Sequence, residues 1–90
     1  MSTDFGAALD GLKRGKKMCR KGWNGKNQFV YLVPGEWFEA RTDAAKSFAN
    51  LDNKVKYNSY MAIHNADDSV NTWVPSSSDC LAEDWIVFPE

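Results

Sequence analysis

The sequence is poor in the residues on which metal and nucleophilic chemistry depend. Its 90 residues include two cysteines, Cys19 and Cys80, and one histidine, His64. Two cysteines without paired spacing do not make a zinc site, and one histidine beside a predicted turn is a poor base for a triad. Neither a Walker-type loop nor a GxGxxG segment is present, so no motif supports nucleotide turnover. We therefore expect a protein that is not an enzyme and that requires no metal and no cofactor.

Long apolar runs and a strong net charge are also missing. No 18 consecutive residues are apolar, and the N-terminus lacks the basic and then apolar segment of a secretory signal. These absences predict no membrane association and a chain that stays in the cytosol with both thiols reduced. The formal net charge of −1 is too small to draw the whole molecule onto a nucleic-acid polymer. Basic residues nevertheless crowd the first third of the chain, which allows a local anion site.

Large aromatic side chains, in contrast, are plentiful. The chain has four Trp, five Phe and three Tyr. Its length suffices for one domain, residues 1–90, with a small core. Such a core does not readily hide so many rings, so we expect some of them to face a ligand or a neighbouring subunit.

The N-terminal segment predicts a helix. Ser2 or Thr3 is placed to cap it, and its apolar stripe begins at Phe5 and ends at Leu12. Gly15 supplies the left-handed residue that commonly ends a helix. We therefore expect one amphipathic helix that buries a single face.

The rest of the chain predicts mostly antiparallel strands. Alternating or apolar segments predict strands at residues 17–23, 29–33, 55–63, 70–74 and 85–88. Residues 41–53 fit either a short helix capped by Thr42 or Asp43, or a loop excursion. The sum is an α+β fold, with the N-terminal helix packed on a mostly antiparallel sheet of about five strands.

The segment 20–26 combines three cations with an indole at a hairpin. Asn24 and Gly25 suit the positive φ angles of a tight turn. Arg20 or Lys26 can hold a phosphate while Trp23 stacks on a purine. The alternative interpretation is a hairpin with a solvated basic rim and a tryptophan that faces the core.

The segment 73–79 offers hydroxyls and a carboxylate after a strand. Asp79 can accept hydrogen bonds from ribose hydroxyls, and Ser77 can donate to a phosphate or a base edge. The alternative is that Asp79 or a serine only caps a short helix. The nearby Glu83 and Asp84 point to opposite faces of a strand, so we expect Asp84 to make a structural hydrogen bond rather than to serve in an acid/base pair.

These stretches resemble the phage anti-Thoeris sponge family, the second type of Thoeris anti-defence protein. The resemblance rests on the opening helix, on the hairpin segment 20–26, on residues 29–35, and on a closing motif made of residues 73–79 and the Leu-Ala-Glu-Asp-Trp sequence at 81–85. Residues 36–54 match no pattern of that family. The resemblance implies an α+β fold in a homotetramer, a dimer of dimers, with ligand pockets between subunits.

The implied activity is sequestration in the cytoplasm of an infected bacterium. A sponge of this family holds a cyclic ADP-ribose isomer, made by a TIR-domain enzyme, without cleaving it. Some members similarly hold cyclic dinucleotides of the related CBASS pathway. A 90-residue subunit scarcely encloses such a ligand alone, which favours a pocket at a subunit junction.

The predicted ligand site joins flat rings, cations and polar groups. We expect a ring to stack on the base, cations to neutralise the diphosphate, and amide, hydroxyl and carboxylate groups to read hydroxyls or base edges. An alternative function is a protein-interaction module that inhibits a host defence protein through exposed aromatics. The predicted ligand-binding residues are Arg20, Lys21, Trp23, Asn24, Lys26, Phe29, Tyr31, Trp73, Ser77 and Asp79.

Overall fold

The computed structural model describes residues 3–23 and 27–89. Within those ranges the chain forms three helices and seven strands. In chain order they are α1 (Phe5–Lys13), β1 (Met18–Arg20), β2 (Phe29–Val33), β3 (Glu36–Glu39), α2 (Asp43–Lys46), β4 (Lys54–Tyr57), β5 (Tyr60–His64), β6 (Val70–Thr72), α3 (Ser77–Leu81) and β7 (Trp85–Val87).

Five of the strands form the main sheet, in the order β6-β5-β2-β1-β7. Every pairing in it is antiparallel, so the predicted α+β fold is confirmed. Helix α1 packs on one face, where Ala8 and Leu12 are fully buried against Val30 and Trp85. Because side chains alternate along a strand, the neighbours of Val30 lie on the other face of the sheet. We call that other face, the one that α1 does not cover, the opposite face.

The N-cap of helix α1 lies one residue after Thr3, the later of the two predicted caps. The cap is Asp4, whose carboxylate accepts a hydrogen bond from the backbone N–H of Ala7 at 2.9 Å. Thr3 instead exchanges two backbone hydrogen bonds with Trp85, each 2.9 Å long. The prediction of Thr3 as the cap is therefore wrong, and Ser2 lies outside the described residues. The predicted end is confirmed, because Gly15 has a φ of +83° just beyond the helix.

The single strand predicted over residues 55–63 is also wrong. The chain leaves β4 at Tyr57 and enters β5 at Tyr60, and these two strands belong to different sheets. Strands β3 and β4 pair only with each other. Helix α2 lies between them in the sequence. Thr42 caps it by accepting a hydrogen bond from the N–H of Ala45. We call residues 36–57, which comprise β3, α2 and β4, the arm.

The arm has a small core of its own. Ala40, Ala45 and Val55 are buried together there, apart from the cluster under α1. None of the described helices is long and apolar enough to cross a bilayer. The fold therefore has one main sheet, covered by α1 on one face, and an arm inserted between β2 and β5.

The arm joins the main sheet at a point where the backbone leaves no room for a side chain. A Cβ added to Gly35 would lie 2.6 Å from the carbonyl oxygen of Tyr57 and 2.8 Å from the nitrogen of Ser59. We expect Gly35→Ala to lower the free energy of unfolding by about 1–3 kcal/mol, as overpacking does. Urea unfolding measures this change.

Gly22→Ala is the matched control, because a Cβ there would meet only a carboxylate oxygen of Asp84 at an ordinary 3.8 Å. We expect it to change stability by less than about 0.5 kcal/mol. Equal destabilisation by both variants would contradict the close packing at the base of the arm.

Candidate ligand-binding site

Arg20 lies at the centre of a three-residue ion-pair network. Its Nε donates to Oδ1 of Asp84 at 2.9 Å, and Nη1 donates to Oδ1 of Asp79 at 3.0 Å. The second carboxylate oxygen of Asp79 accepts hydrogen bonds from the backbone N–H and the hydroxyl of Ser76. The network thus ties the end of β1 to α3 and to the residue before β7. The structural hydrogen bond expected of Asp84 is confirmed.

This network sets the charge of its surroundings. Desolvation raises the pKa of Asp79, but hydrogen bonds from Ser76 and Arg20 outweigh it and hold the pKa below the usual 3.8. The hydrogen bond from Arg20 lowers the pKa of Asp84 as well. Two ionised carboxylates against one guanidinium leave a net charge of −1, which opposes the approach of an anion. The alternative interpretation, in which a serine or Asp79 caps a short helix, agrees with the structure. Ser76 is the N-cap of α3, and the carboxylate of Asp79 completes the capping box.

Beside the network, four aromatic rings meet edge to face or tilted. The indole of Trp85 is fully buried, and its Nε1 donates to the carbonyl oxygen of Asp79 at 2.9 Å. The ring of Trp23 meets that of Trp85 at 5.4 Å between centroids, at 77° between planes. Phe5 and Trp73 complete the group. Trp23 and Trp73 are half-buried, so each packs on the core while part of its ring stays accessible.

The opposite face carries a different arrangement, a cavity of about 320 Å³. Phe29, Tyr31, Lys17 and His64 line it. The ammonium of Lys17 lies 5.0 Å from the centroid of the Phe29 ring, within the range of a cation–π interaction. The imidazole of His64 stacks on that same ring, with centroids 4.6 Å apart and planes inclined by 7°. Flat surfaces and a cation therefore face one concave space.

Stacking and one hydrogen bond hold the His64 ring in place. Its Nδ1 donates to the carbonyl oxygen of Asn27 at 2.7 Å. Its Nε2 lies 3.2 Å from Oδ1 of Asp68, a contact that is an ion pair only when the imidazole is protonated. The fixed ring of His64 therefore forms a wall of the cavity. Within the described residues, no three acidic, His or Cys side chains form a metal-binding group.

A second cavity, of about 330 Å³, lies where the arm meets the main sheet. Its lining includes the rings of Phe38, Tyr57 and Tyr60, with Val33 below and Arg41 at the edge. Each of the three rings remains about half exposed. No ligand-binding residue is predicted in this region, because residues 36–54 match no pattern of the family.

The structure divides the predicted ligand-binding residues into two groups. Asn24 and Lys26 lie outside the described residues. The first group, gathered around the ion pairs and the tryptophans, is Arg20, Lys21, Trp23, Trp73, Ser77 and Asp79. The second group, Phe29 and Tyr31, lines the cavity on the opposite face. Because the sheet separates them, the two groups do not line one pocket of a single chain.

Comparison with known families places the chain among its relatives. The profile of the Thoeris anti-defense 2-like domain matches residues 3–88. The chain belongs to this family. A curated relative, Thoeris anti-defense 2 of Bacillus phage SP01, is 40% identical over 81 residues, which are 90% of this chain and 89% of the relative. The resemblance drawn from the sequence is confirmed, and the profile match includes residues 36–54, in which no family pattern is recognised from the sequence alone.

For this member of the Thoeris anti-defense 2-like family, the predicted ligand-binding residues omit three of the five residues that line the cavity, Gly15, Lys17 and His64. Lys17 could have been found from the alternation along the predicted strand at residues 17–23, which places it on the same face as Cys19. His64 could not, because it reaches Phe29 only through the pairing of β2 with β5. That pairing sets Phe29 opposite a residue 35 positions later in the chain, and no local pattern specifies it.

The ion-pair network gives the protein a defined acid sensitivity. Both Asp79 and Asp84 have a lowered pKa when folded, so the unfolded chain binds more protons in acid. Their contribution to stability is therefore fully present above the unfolded pKa near 3.8 and is lost as the pH falls through the lower folded values. We expect Arg20→Met to lower stability at pH 7 and to flatten its dependence on pH between 5 and 3.

Urea unfolding at a series of pH values tests this expectation. Lys21→Met is the control, since the exposed Lys21 makes no ion pair with any described residue. The control should follow the wild-type curve. If the stability of the Arg20→Met protein depended on pH as that of the wild type does, Arg20 would not be what lowers the pKa of the two carboxylates.

Proposed function

We propose that this protein is a phage anti-defence sponge that binds and sequesters, without cleaving it, a cyclic ADP-ribose signal of the Thoeris system. The observation that carries the proposal is the cavity on the opposite face, where two aromatic rings and the Lys17 ammonium share one space. Membership of the Thoeris anti-defense 2-like family supports the biological setting. We propose that the protein acts in the cytoplasm of the infected bacterium.

The chemistry of the ligand fits the chemistry of that cavity. A cyclic ADP-ribose isomer carries an adenine ring, ribose hydroxyls and a diphosphate. Phe29 and Tyr31 offer aromatic surfaces for the ring, and Lys17 offers a cation for the diphosphate. The ion-pair network, with its net charge of −1, is less suited to the diphosphate. We therefore assign the anionic part of the ligand to Lys17 rather than to Arg20.

The size of the cavity favours a pocket that more than one subunit completes. Tight capture of a scarce signal, at nanomolar affinity, needs close enclosure of the ligand. The cavity is open to solvent on one chain, and the first group of residues, which includes Trp23, lies on the other side of the sheet. We propose a homotetramer, a dimer of dimers, in which both groups contribute to ligand pockets through different subunits. Cyclic dinucleotides share the base and phosphate chemistry and are a further ligand class of this proposal.

Release of the ligand unchanged distinguishes a sponge from an enzyme. The experiment mixes the protein with the cyclic ADP-ribose isomer, removes free ligand, denatures the protein by heat and analyses the released molecule by mass spectrometry. The proposal expects the intact cyclic compound in the released fraction. Recovery of a linear or hydrolysed product would overturn it.

A conservative substitution tests the stacking surface. Phe29→Leu keeps an apolar side chain against Phe88 but removes the flat ring. We expect it to weaken binding of the cyclic ADP-ribose isomer by about 5- to 150-fold, which corresponds to about 1–3 kcal/mol of base stacking. Isothermal titration calorimetry measures the change.

Phe48→Leu provides the matched control, because Phe48 is an exposed ring of the arm that lines neither described cavity. It should bind like the wild type. If the Phe29→Leu protein kept the wild-type fold and bound the cyclic ADP-ribose isomer with the wild-type affinity, Phe29 would not be part of the ligand site.

The competing function is direct inhibition of a host defence protein. The exposed rings of the arm favour it, because such patches mark contact surfaces. The two functions differ in a simple observation. A protein that inhibits a host enzyme directly would show no binding in a titration with purified signal, and it would co-purify with that enzyme.

A further inference from the structure

The His64 ring lies between two oxygen atoms at the edge of the cavity on the opposite face. Its Nδ1 is 2.7 Å from the carbonyl oxygen of Asn27, and its Nε2 is 3.2 Å from Oδ1 of Asp68. A carbonyl oxygen and an ionised carboxylate both accept hydrogen bonds, and neither donates one. Each ring nitrogen therefore needs a proton of its own to bond to its neighbour.

A neutral imidazole cannot meet both contacts. It carries a single proton, and the short contact with the carbonyl oxygen of Asn27 places that proton on Nδ1. The lone pair of Nε2 then faces the carboxylate oxygen of Asp68, so two acceptors oppose each other. Only the protonated imidazolium donates from both nitrogens. The surroundings of His64 thus fit the charged ring better than the neutral one.

On the cavity side, Lys17 opposes a charge on His64. The ammonium of Lys17 lies 5.0 Å from the centroid of the Phe29 ring, and the imidazole stacks on that same ring. Like charges that share a site disfavour each other. Tyr31 is a further titratable residue of this lining, and phenols are uncharged near neutral pH. Without an anion in the cavity, the ammonium therefore makes protonation of His64 less favourable.

On the other side, carboxylates of the turn between β5 and β6 favour that charge. Asp68 contacts Nε2 directly, but it is 84% exposed, so water screens much of its attraction. Asp67, in the same turn, also interacts with the charge of His64. Hydrogen bonds from Ser69 hold the pKa of Asp67 below its usual value, so this carboxylate is ionised at neutral pH. Attraction and repulsion act on the ring together, and an added charge in the cavity shifts the balance.

We propose that His64 takes up a proton when the anionic part of the ligand binds, and that it thereby becomes the second cation of the cavity. This rests on the proposed function, because it concerns the same cavity and the same ligand. The diphosphate carries a negative charge on each phosphoryl group, and Lys17 balances only one of them. The imidazolium of His64 supplies the other positive charge. The proton comes from the buffer and binds at Nε2, where Asp68 accepts its hydrogen bond.

Isothermal titration calorimetry with the cyclic ADP-ribose isomer, from about pH 8 to about pH 5, covers the range in which a histidine changes its charge. An opposite charge within about 4–6 Å favours a protonated group by about 10-fold or more. Linkage is reciprocal, so the ligand binds the protonated protein more tightly by the same factor. We expect the affinity of the wild type to rise about 10-fold over this range.

A second measurement needs no variant. Titrations in buffers of different ionisation enthalpy show whether the wild-type protein takes up a proton as it binds the ligand. His64 is the single histidine of the chain, so uptake that is largest near the middle of this pH range is assigned to it. We expect such uptake.

Two variants separate His64 from the rest of the cavity. His64→Phe keeps a flat ring against Phe29 but binds no proton, so its affinity should not change with pH and its binding should take up none. Lys17→Gln is the matched control, because it removes the other cation and leaves His64 in place. We expect it to bind more weakly at every pH and to keep the dependence on pH.

The possible results distinguish this inference from the proposed function. Wild-type binding of constant affinity, without proton uptake, would overturn the role of His64 and leave the sponge intact. A dependence on pH that His64→Phe retains in full would do the same. If the wild type bound no ligand at any pH, the proposed function itself would fail, and the role of His64 would fail with it.

Discussion

The ion pairs of Arg20 with Asp79 and Asp84 are the constraint on which the rest of the structure depends. These two contacts join three elements that are distant in sequence, the end of β1, helix α3 and the start of β7. Asp79 also completes the capping of α3, and its backbone carbonyl fixes the indole of Trp85. The orientation of the fully buried Trp85 ring therefore depends on Asp79, a member of a partly exposed ion pair. In a domain of this size, few other contacts are available to do the same.

The main sheet separates two chemical environments on its two faces. On the α1 face, paired charges and edge-to-face tryptophans form a structural unit with a net charge of −1. On the opposite face, the ammonium of Lys17 approaches the ring of Phe29, and none of the described carboxylates lines the cavity. The proposal therefore assigns the aromatic base and the anionic group of the ligand to the opposite face. The tryptophans contribute to the same pocket only if subunits meet there.

Local sequence patterns predicted most of the elements and little of how they meet. The apolar stripe of α1 and the alternation around Tyr31 each specify an element within a few residues, and these predictions are confirmed. For residues 41–53 the sequence analysis left a short helix and a loop open, and the structure has the short helix, capped by Thr42. The split of the predicted strand at residues 58–59 depends on where the arm meets the main sheet, which involves Gly35 far away in sequence. No pattern within one segment contains that information.

The candidate site was predictable to a similar extent. The residue types were recognised, since Phe29 and Tyr31 line a cavity and Arg20 and Asp79 lie together. Their grouping was not, because one sheet separates them and because the hydrogen bonds of Arg20 are with Asp79 and Asp84, about 60 residues later in the chain. A charge run read along the sequence does not reveal which cations already have partners. Lys17, which is not among the predicted ligand-binding residues, lies with its ammonium over the rings of Phe29 and Phe88.

The most direct test of the account is a crystal structure of the protein with the bound cyclic ADP-ribose isomer. The account predicts an uncleaved ligand on the opposite face, with its adenine against Phe29 or Tyr31 and its diphosphate near Lys17. An opened ligand, or one bound only at the Arg20 network with the cavity at Phe29 vacant, would contradict it.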